Sequence, residues 1–186
     1  MLWAVGLGVI LGVGLLVFFK VRVGPSKLEV QKDGDYFPMV SGFNLQREEF
    51  QFPRDFAGKW NLIIVPFQRE QQQDVNTWVP ALRELEREYP GLVYYELPTI
   101  YRLPTLSRTL INEGMRAGIP DRTARERTVT LYLDKDRFKK AVDIKSEDAI
   151  HLLLVDGEGR ILWRGRGPFS ERSLADLEKT MEDLEG

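Results

Sequence analysis

"FQREQQQDVNTWVP", residues 67–80, follows directly on the apolar run "NLIIVPF" (61–67) and decides how the rest of the chain is read. A continuous apolar run bounded by a turn is the pattern of a central strand buried on both faces. After it, Val75, Trp78, Val79, Leu82 and Leu85 recur at helical spacing, with Asp74 as a candidate N-cap and Pro80 expected to kink the helix. A buried strand that runs into a helix brings the unpaired N–H groups and the partial positive charge of the first helical turn to the strand's end. That layout suits a reactive group, yet glutamines stand there. Glutamine neither ionises nor attacks, but its amide donates and accepts hydrogen bonds. Residues Gln71 to Gln73 therefore read either as a solvated first turn or as a surface that holds a peptide backbone or an acidic side chain.

Working outward, "KDGDY" (32–36) and "VSGFNL" (40–45) are short strand-like pieces with turn signals, followed by "EFQFPRDFAGKW". "GLVYYELP" (91–98) is a second strand, residues 103–118 an amphipathic helix, and "TVTLYLD" (128–134) a third strand. A helical stretch over 136–144 leads to a hairpin over 149–165 that turns at Asp156–Gly159. The closing helix spans 170–184, with Ser170 as cap and Leu174, Leu177, Met181 and Leu184 facing the core. Strands alternating with helices and ending in an antiparallel pair give an α/β sandwich with a mixed sheet.

Composition removes several classes of function. The chain contains no cysteine, so thiolate nucleophiles, disulfides and cysteine metal sites are excluded, and its single histidine, His151, excludes histidine-rich metal sites. No Walker loop, nucleophile elbow or metal signature is present, and no cofactor or metal is expected. From residue 28 onward 23 basic residues face 28 acidic ones, which argues against broad nucleic-acid binding.

Residues 2–19, "LWAVGLGVILGVGLLVFF", carry no charged side chain, and eighteen helical residues rise about 27 Å, enough to span a bilayer. A cleaved signal peptide would show a positive n-region, a shorter apolar core and an A-x-A-like site, and none is present. The expected organisation is a transmembrane anchor at 1–22, a juxtamembrane linker at 23–30 and a domain at 31–186. Lys20, Arg22 and Lys27 follow the span and no charged side chain precedes it, so the positive-inside rule places the domain in the cytoplasm. Ala4, Gly8 and Gly12 share one face of the span. They read either as a helix-packing face or as glycines of the ordinary membrane kind.

Strand, kinked helix, strand, then a terminal hairpin and helix resembles the thioredoxin-like fold, and "FPRDFAGKWNLIIVPF" with the strands before it resembles its peroxiredoxin side. The resemblance implies an α/β, thioredoxin-like mixed sheet flanked by helices, here preceded by one N-terminal transmembrane helix. It sets Phe67 and Pro80 at the family's strand aromatic and kink proline, its paired cysteines on Gln72 and Val75, and its cis-proline on His151. A narrower resemblance, carried by "FQREQQQDVNTW" and "HLLLVDGEGRILWRGRG" within residues 40–182, is to the mitochondrial ATP synthase assembly factors, thioredoxin-like and non-catalytic. It implies a redox-inactive, membrane-anchored chaperone that is not an enzyme and whose partners are the membrane and integral-membrane subunits, those of ATP synthase first.

The candidate partner-binding residues are Gln68, Arg69, Gln72, Gln73, Pro98 and His151. Pro98 and Pro104 flank Tyr101 in "PTIYRLPT" (98–105), read as a rigid recognition loop or a plain connection. His151 is expected to be a hydrogen-bonded structural residue close to Gln72, and Trp78 a core residue. Arg116, Arg122, Arg125 and Arg127 lie in a turn-rich surface segment and, with Lys20, Arg22 and Lys27, are the candidates for contact with anionic lipid. Asp121 and Glu126 are interleaved among them, which equally suits ordinary surface charge.

Overall fold

A computed structural model describes residues 35–185. Its centre is β3 (Trp60–Val65), buried at every position as an apolar run in a covered sheet should be. Strand β4 (Leu92–Glu96) pairs parallel to it, and on its other side β7 (His151–Asp156) pairs antiparallel and turns into β8 (Ile161–Arg166). A second sheet follows the order β2 (Glu49–Phe52), β1 (Val40–Asn44), β6 (Val129–Leu133), β5 (Thr99–Tyr101). The two sheets meet at a parallel bridge between Glu96 and Thr128, reinforced by the bond from Leu131 N–H to the Pro98 carbonyl at 2.9 Å.

Side chains alternate across these strands, so each sheet face has its own core. On one face α1 (Gln72–Glu88) and α5 (Glu171–Glu185) lay Val75, Trp78, Leu82, Leu85, Leu177 and Met181 over Leu62, Ile64, Leu152 and Leu154. The other face carries Phe37, Phe52 and Phe56 from the chain's start and Phe138 from α4 (Lys135–Ala141), over Ile63, Leu131 and Leu153. Trp78 is fully buried, and its indole N–H donates to the Gly167 carbonyl at 3.1 Å, which supplies the partner that a buried tryptophan needs.

Most elements fall where periodicity puts them, and four details differ. The helix after β3 is entered through a 3₁₀ turn (Arg69–Gln71) capped by Gln68, so Asp74 lies inside the first turn of α1 and is not its cap. Residues 99–101 form β5 because they pair with β6, so the first part of the proline-flanked stretch is strand and only 102–104 connect it to the next helix. The arginine-rich segment forms a short helix, α3 (Arg122–Arg127), because Asp121 accepts the Ala124 N–H at 2.8 Å and caps it. Ser170 caps α5 as expected, but Leu184 is exposed because the helix's last turn, from Glu182, lies outside the core. Among the described residues no helix is long and apolar enough to cross a membrane. The expected span at 2–19, with Ala4, Gly8 and Gly12, and the basic residues Lys20, Arg22 and Lys27 lie outside the described residues.

Candidate functional site

The carboxyl ends of β3 and β4 and the start of α1 converge at one edge of the sheet, the crevice where open α/β folds place their ligands. Two polar clusters lie there, one on each sheet face.

The first is built around Gln71, which is buried. Its amide oxygen accepts the Phe67 N–H at 2.7 Å and the Gln68 N–H at 3.3 Å, while its amide nitrogen donates to the Glu147 carbonyl at 2.7 Å. Gln68 donates to the same carbonyl at 3.2 Å. The Glu147 carboxylate pairs with Lys135 at 2.5 Å and with Lys139 at 2.7 Å. Lys135, itself buried, also lies over the rings of Phe67 and Tyr101, at 5.4 and 4.6 Å. Burial pushes the Glu147 carboxyl up, but its hydrogen bonds from Lys135 and Lys139 outweigh that and hold it below the usual range. His151 joins at the rim, where Nε2 lies 3.0 Å from the Ser146 carbonyl and burial lowers its basicity. This cluster clamps the turn after β3 to the segment before β7.

The second cluster lies under the start of α1, towards α2 (Thr105–Gly118). Glu96, the last residue of β4, is 8% exposed and shares the α1 face with Thr130 and Tyr132 of β6, as strand alternation requires. Burial pushes its carboxyl up to about 7, against a hydrogen bond from the Gln72 amide that works in the opposite direction. Its Oε1 has no hydrogen-bond partner among the described residues, and neither do Thr130 Oγ1 nor Arg108 Nε. Tyr132 donates to Asn112 Oδ1 at 2.7 Å, and burial raises its hydroxyl to about 12 although the Arg108 charge works against that. Arg108 lies over the Tyr132 ring at 5.7 Å. Buried polar atoms are nearly always paired, so Glu96 Oε1 and Thr130 Oγ1 on this sheet face, and Arg108 Nε on α2, are polar atoms that the described side chains leave open to a further partner.

The expected site residues divide between the two. Gln72 is half-buried beside Glu96, while Gln68, Arg69 and Gln73 are exposed around the turn. Pro98 is buried and its carbonyl is taken by Leu131, so its side chain presents no surface. The cis bond among the described residues is Phe52–Pro53, not Ile150–His151. Of the arginines, Arg127 pairs with Glu86 at 2.5 Å and covers the Tyr94 ring, Arg125 donates to the Ile119 and Pro120 carbonyls, and Arg122 pairs with Glu126. Arg116 lies half-buried on α2. Glu96 was not among the expected residues. Its signal was a lone carboxylate closing an otherwise apolar strand, "LVYYE".

The architecture has counterparts of the same fold among solved structures. The thioredoxin domain of a thiol-disulfide oxidoreductase from Bacteroides vulgatus superposes with a TM-score of 0.50 at 18% identity, covering 82% of this chain and 98% of that one. The fold is thioredoxin-like. A thiol:disulfide interchange protein from Chlorobium tepidum gives 0.51 at 13% identity over 86% of this chain and all of its own. A member of the Sco family of cytochrome c oxidase assembly proteins gives 0.53 at 10% identity over 78% of this chain and 92% of its own. No protein-family profile and no curated protein matches the sequence. At these identities the likeness is one of fold alone, and this chain carries the fold without a cysteine.

Proposed function

We propose that this chain is a redox-inactive, membrane-anchored thioredoxin-like protein that assists the assembly of a membrane complex by binding one of its subunits, without turning over a substrate. The observation that carries the reading is Gln72. It is the first residue of α1, on the position that the resemblance gives to a reactive cysteine; its amide donates to Asn76 Oδ1 at 3.3 Å and lowers the pKa of the buried Glu96 carboxyl nearby. Disulfide and peroxide chemistry need a thiolate that attacks and leaves, and an amide does neither. What this edge does offer is the exposed rim Gln68, Arg69 and Gln73 on a turn clamped from behind, a pre-organised surface for a peptide segment. The resemblance of "FQREQQQDVNTW" to ATP synthase assembly factors makes the membrane sector of that enzyme the first client to test. The apolar run at 2–19 would hold the domain beside its client and raise its effective concentration, with the domain on the cytoplasmic side.

The test is cross-linking in cells, purification of the full chain in mild detergent, and quantitative mass spectrometry. Substoichiometric recovery of ATP synthase membrane subunits supports the reading. A fixed one-to-one ratio with a mature complex would make the chain a permanent accessory subunit instead. Peroxide and insulin-disulfide turnover are expected at background.

A further inference from the structure

Among the described helices longer than eight residues, α2 alone buries none of its residues. Its inner half, with Arg108 and Asn112, meets Tyr132. Its outer half carries a ridge in steps of four: Leu106 and Leu110, 73% and 67% exposed, then Gly114 and Gly118. Among the described residues nothing lies within 4 Å of a Cβ built at either glycine, so their packing does not call for glycine there. Glycine in a helix interior is destabilising relative to alanine, which leaves Gly114 without a reason among the described residues.

The ridge is large at one end and small at the other. Laid antiparallel on its own copy about a two-fold axis, it sets Leu106 on Gly118 and Leu110 on Gly114 of the second copy, and the reverse. Interdigitated rows of residues four apart are the commonest way helices pack, and a two-fold contact needs such self-complementarity. A parallel arrangement would set leucine on leucine. Charge agrees with the antiparallel one. The exposed Arg47–Glu113 pair, 2.8 Å apart, flanks the middle of the ridge, so the two-fold brings each acid to the other copy's base.

We propose that the outer face of α2 is a self-association surface, on which a second copy of this chain docks antiparallel with Leu106 and Leu110 seated on Gly118 and Gly114. A 14-residue helix is about 21 Å long and about 10 Å across, so each copy buries on the order of 200 Å². A stable interface takes roughly 800 Å² from each partner, so the dimer is weak in solution and forms where chains are held close together. The contact does not depend on the chain's client.

The test uses the full-length chain, whose lack of cysteine makes every introduced thiol unique. A tag-lengthened Leu110→Cys chain is mixed with a Gly114→Cys chain, and disulfide dimers are resolved by size during oxidation. Because a disulfide needs Cα atoms within roughly 7 Å, the mixed dimer is expected to form at least about fivefold faster than the Leu110→Cys homodimer. Adding Leu106→Glu to both chains should return the rate to that of Glu158→Cys, an exposed site on the β7–β8 turn. Both cysteine positions are open, and unchanged thermal melting verifies the fold. A mixed dimer no faster than the Glu158→Cys control overturns the proposal, as does a dominant Leu110→Cys homodimer. Shielding of both positions from a soluble thiol reagent without cross-linking would assign the face to lipid or another protein and overturn it too.

Discussion

The two polar clusters at the edge of the sheet use similar materials to opposite ends. Around Gln71 every group has its partner: two backbone N–H groups on the amide oxygen, one carbonyl on the amide nitrogen, and two lysines on the Glu147 carboxylate. On the α1 face of the sheet, by contrast, Glu96 Oε1 and Thr130 Oγ1 have no partner among the described residues, and further along β6 neither does Arg108 Nε beside Tyr132. Satisfied networks rigidify, whereas a partly satisfied one is costly in a low-dielectric interior. The first cluster is therefore read as the clamp that fixes the turn's shape. The second holds a carboxyl that burial raises to about 7, so its charge changes near neutral pH.

The largest effect that would break this contrast is on the clamp. Lys135→Ala leaves the Glu147 carboxylate with Lys139 alone in a mostly buried site, and unfolding in urea should show a loss of about 3 kcal/mol. Next is the pH dependence of the Glu96 cluster. The Glu96 carboxyl is raised from 4.5 to about 7 on folding, so both states are protonated below pH 4.5. Between pH 4.5 and 7 the unfolded chain ionises first. Glu96 should thus contribute a fall in stability of about 3 kcal/mol across that window, levelling off above it. Urea unfolding at a series of pH values should show that fall as the difference between the wild type and Glu96→Gln, which cannot ionise there. A flat difference would mean that Glu96 is solvated in the folded chain. Gln71→Ala strips three hydrogen bonds from a buried site and should cost about 2 kcal/mol at any pH. The smallest effect sharpens the split between stability and binding. Gln73→Ala, at an exposed position, should change the unfolding free energy little (within about 0.5 kcal/mol) while lowering client recovery.

Much of the frame was legible in the sequence because its periods are strong: the unbroken run of β3, the five apolar positions of α1, the Asp156–Gly159 turn, and α5 with its serine cap. The site was less legible. Gln71 and Gln72 are adjacent and chemically identical, and only the 3₁₀ entry into α1 decides that one is buried in the clamp and the other sits on Glu96. Pro98 looked like a loop corner because the pairing of β5 with β6 is long-range and leaves no local pattern in three residues. The pairing of Arg122 with Glu126 is local and open to the sequence, but the partners of Arg127 and Arg125 are not: Glu86 lies 41 residues from Arg127, and Arg125 is held by backbone carbonyls. Glu96 was visible only as a charge at the end of an apolar strand. Its burial depends on α1 closing over it.

A client meeting the Gln72–Glu96 edge would reach a photo-reactive amino acid at Gln73 but not one at Glu158 on the β7–β8 turn, which is tested in cells with the full chain. Adducts with one or a few integral-membrane subunits are expected from position 73, none from position 158, and a several-fold loss of the first when Glu96→Leu is introduced into a chain that remains folded. Equal labelling from both positions, or adducts at 73 that ignore Glu96, would contradict a client at this edge.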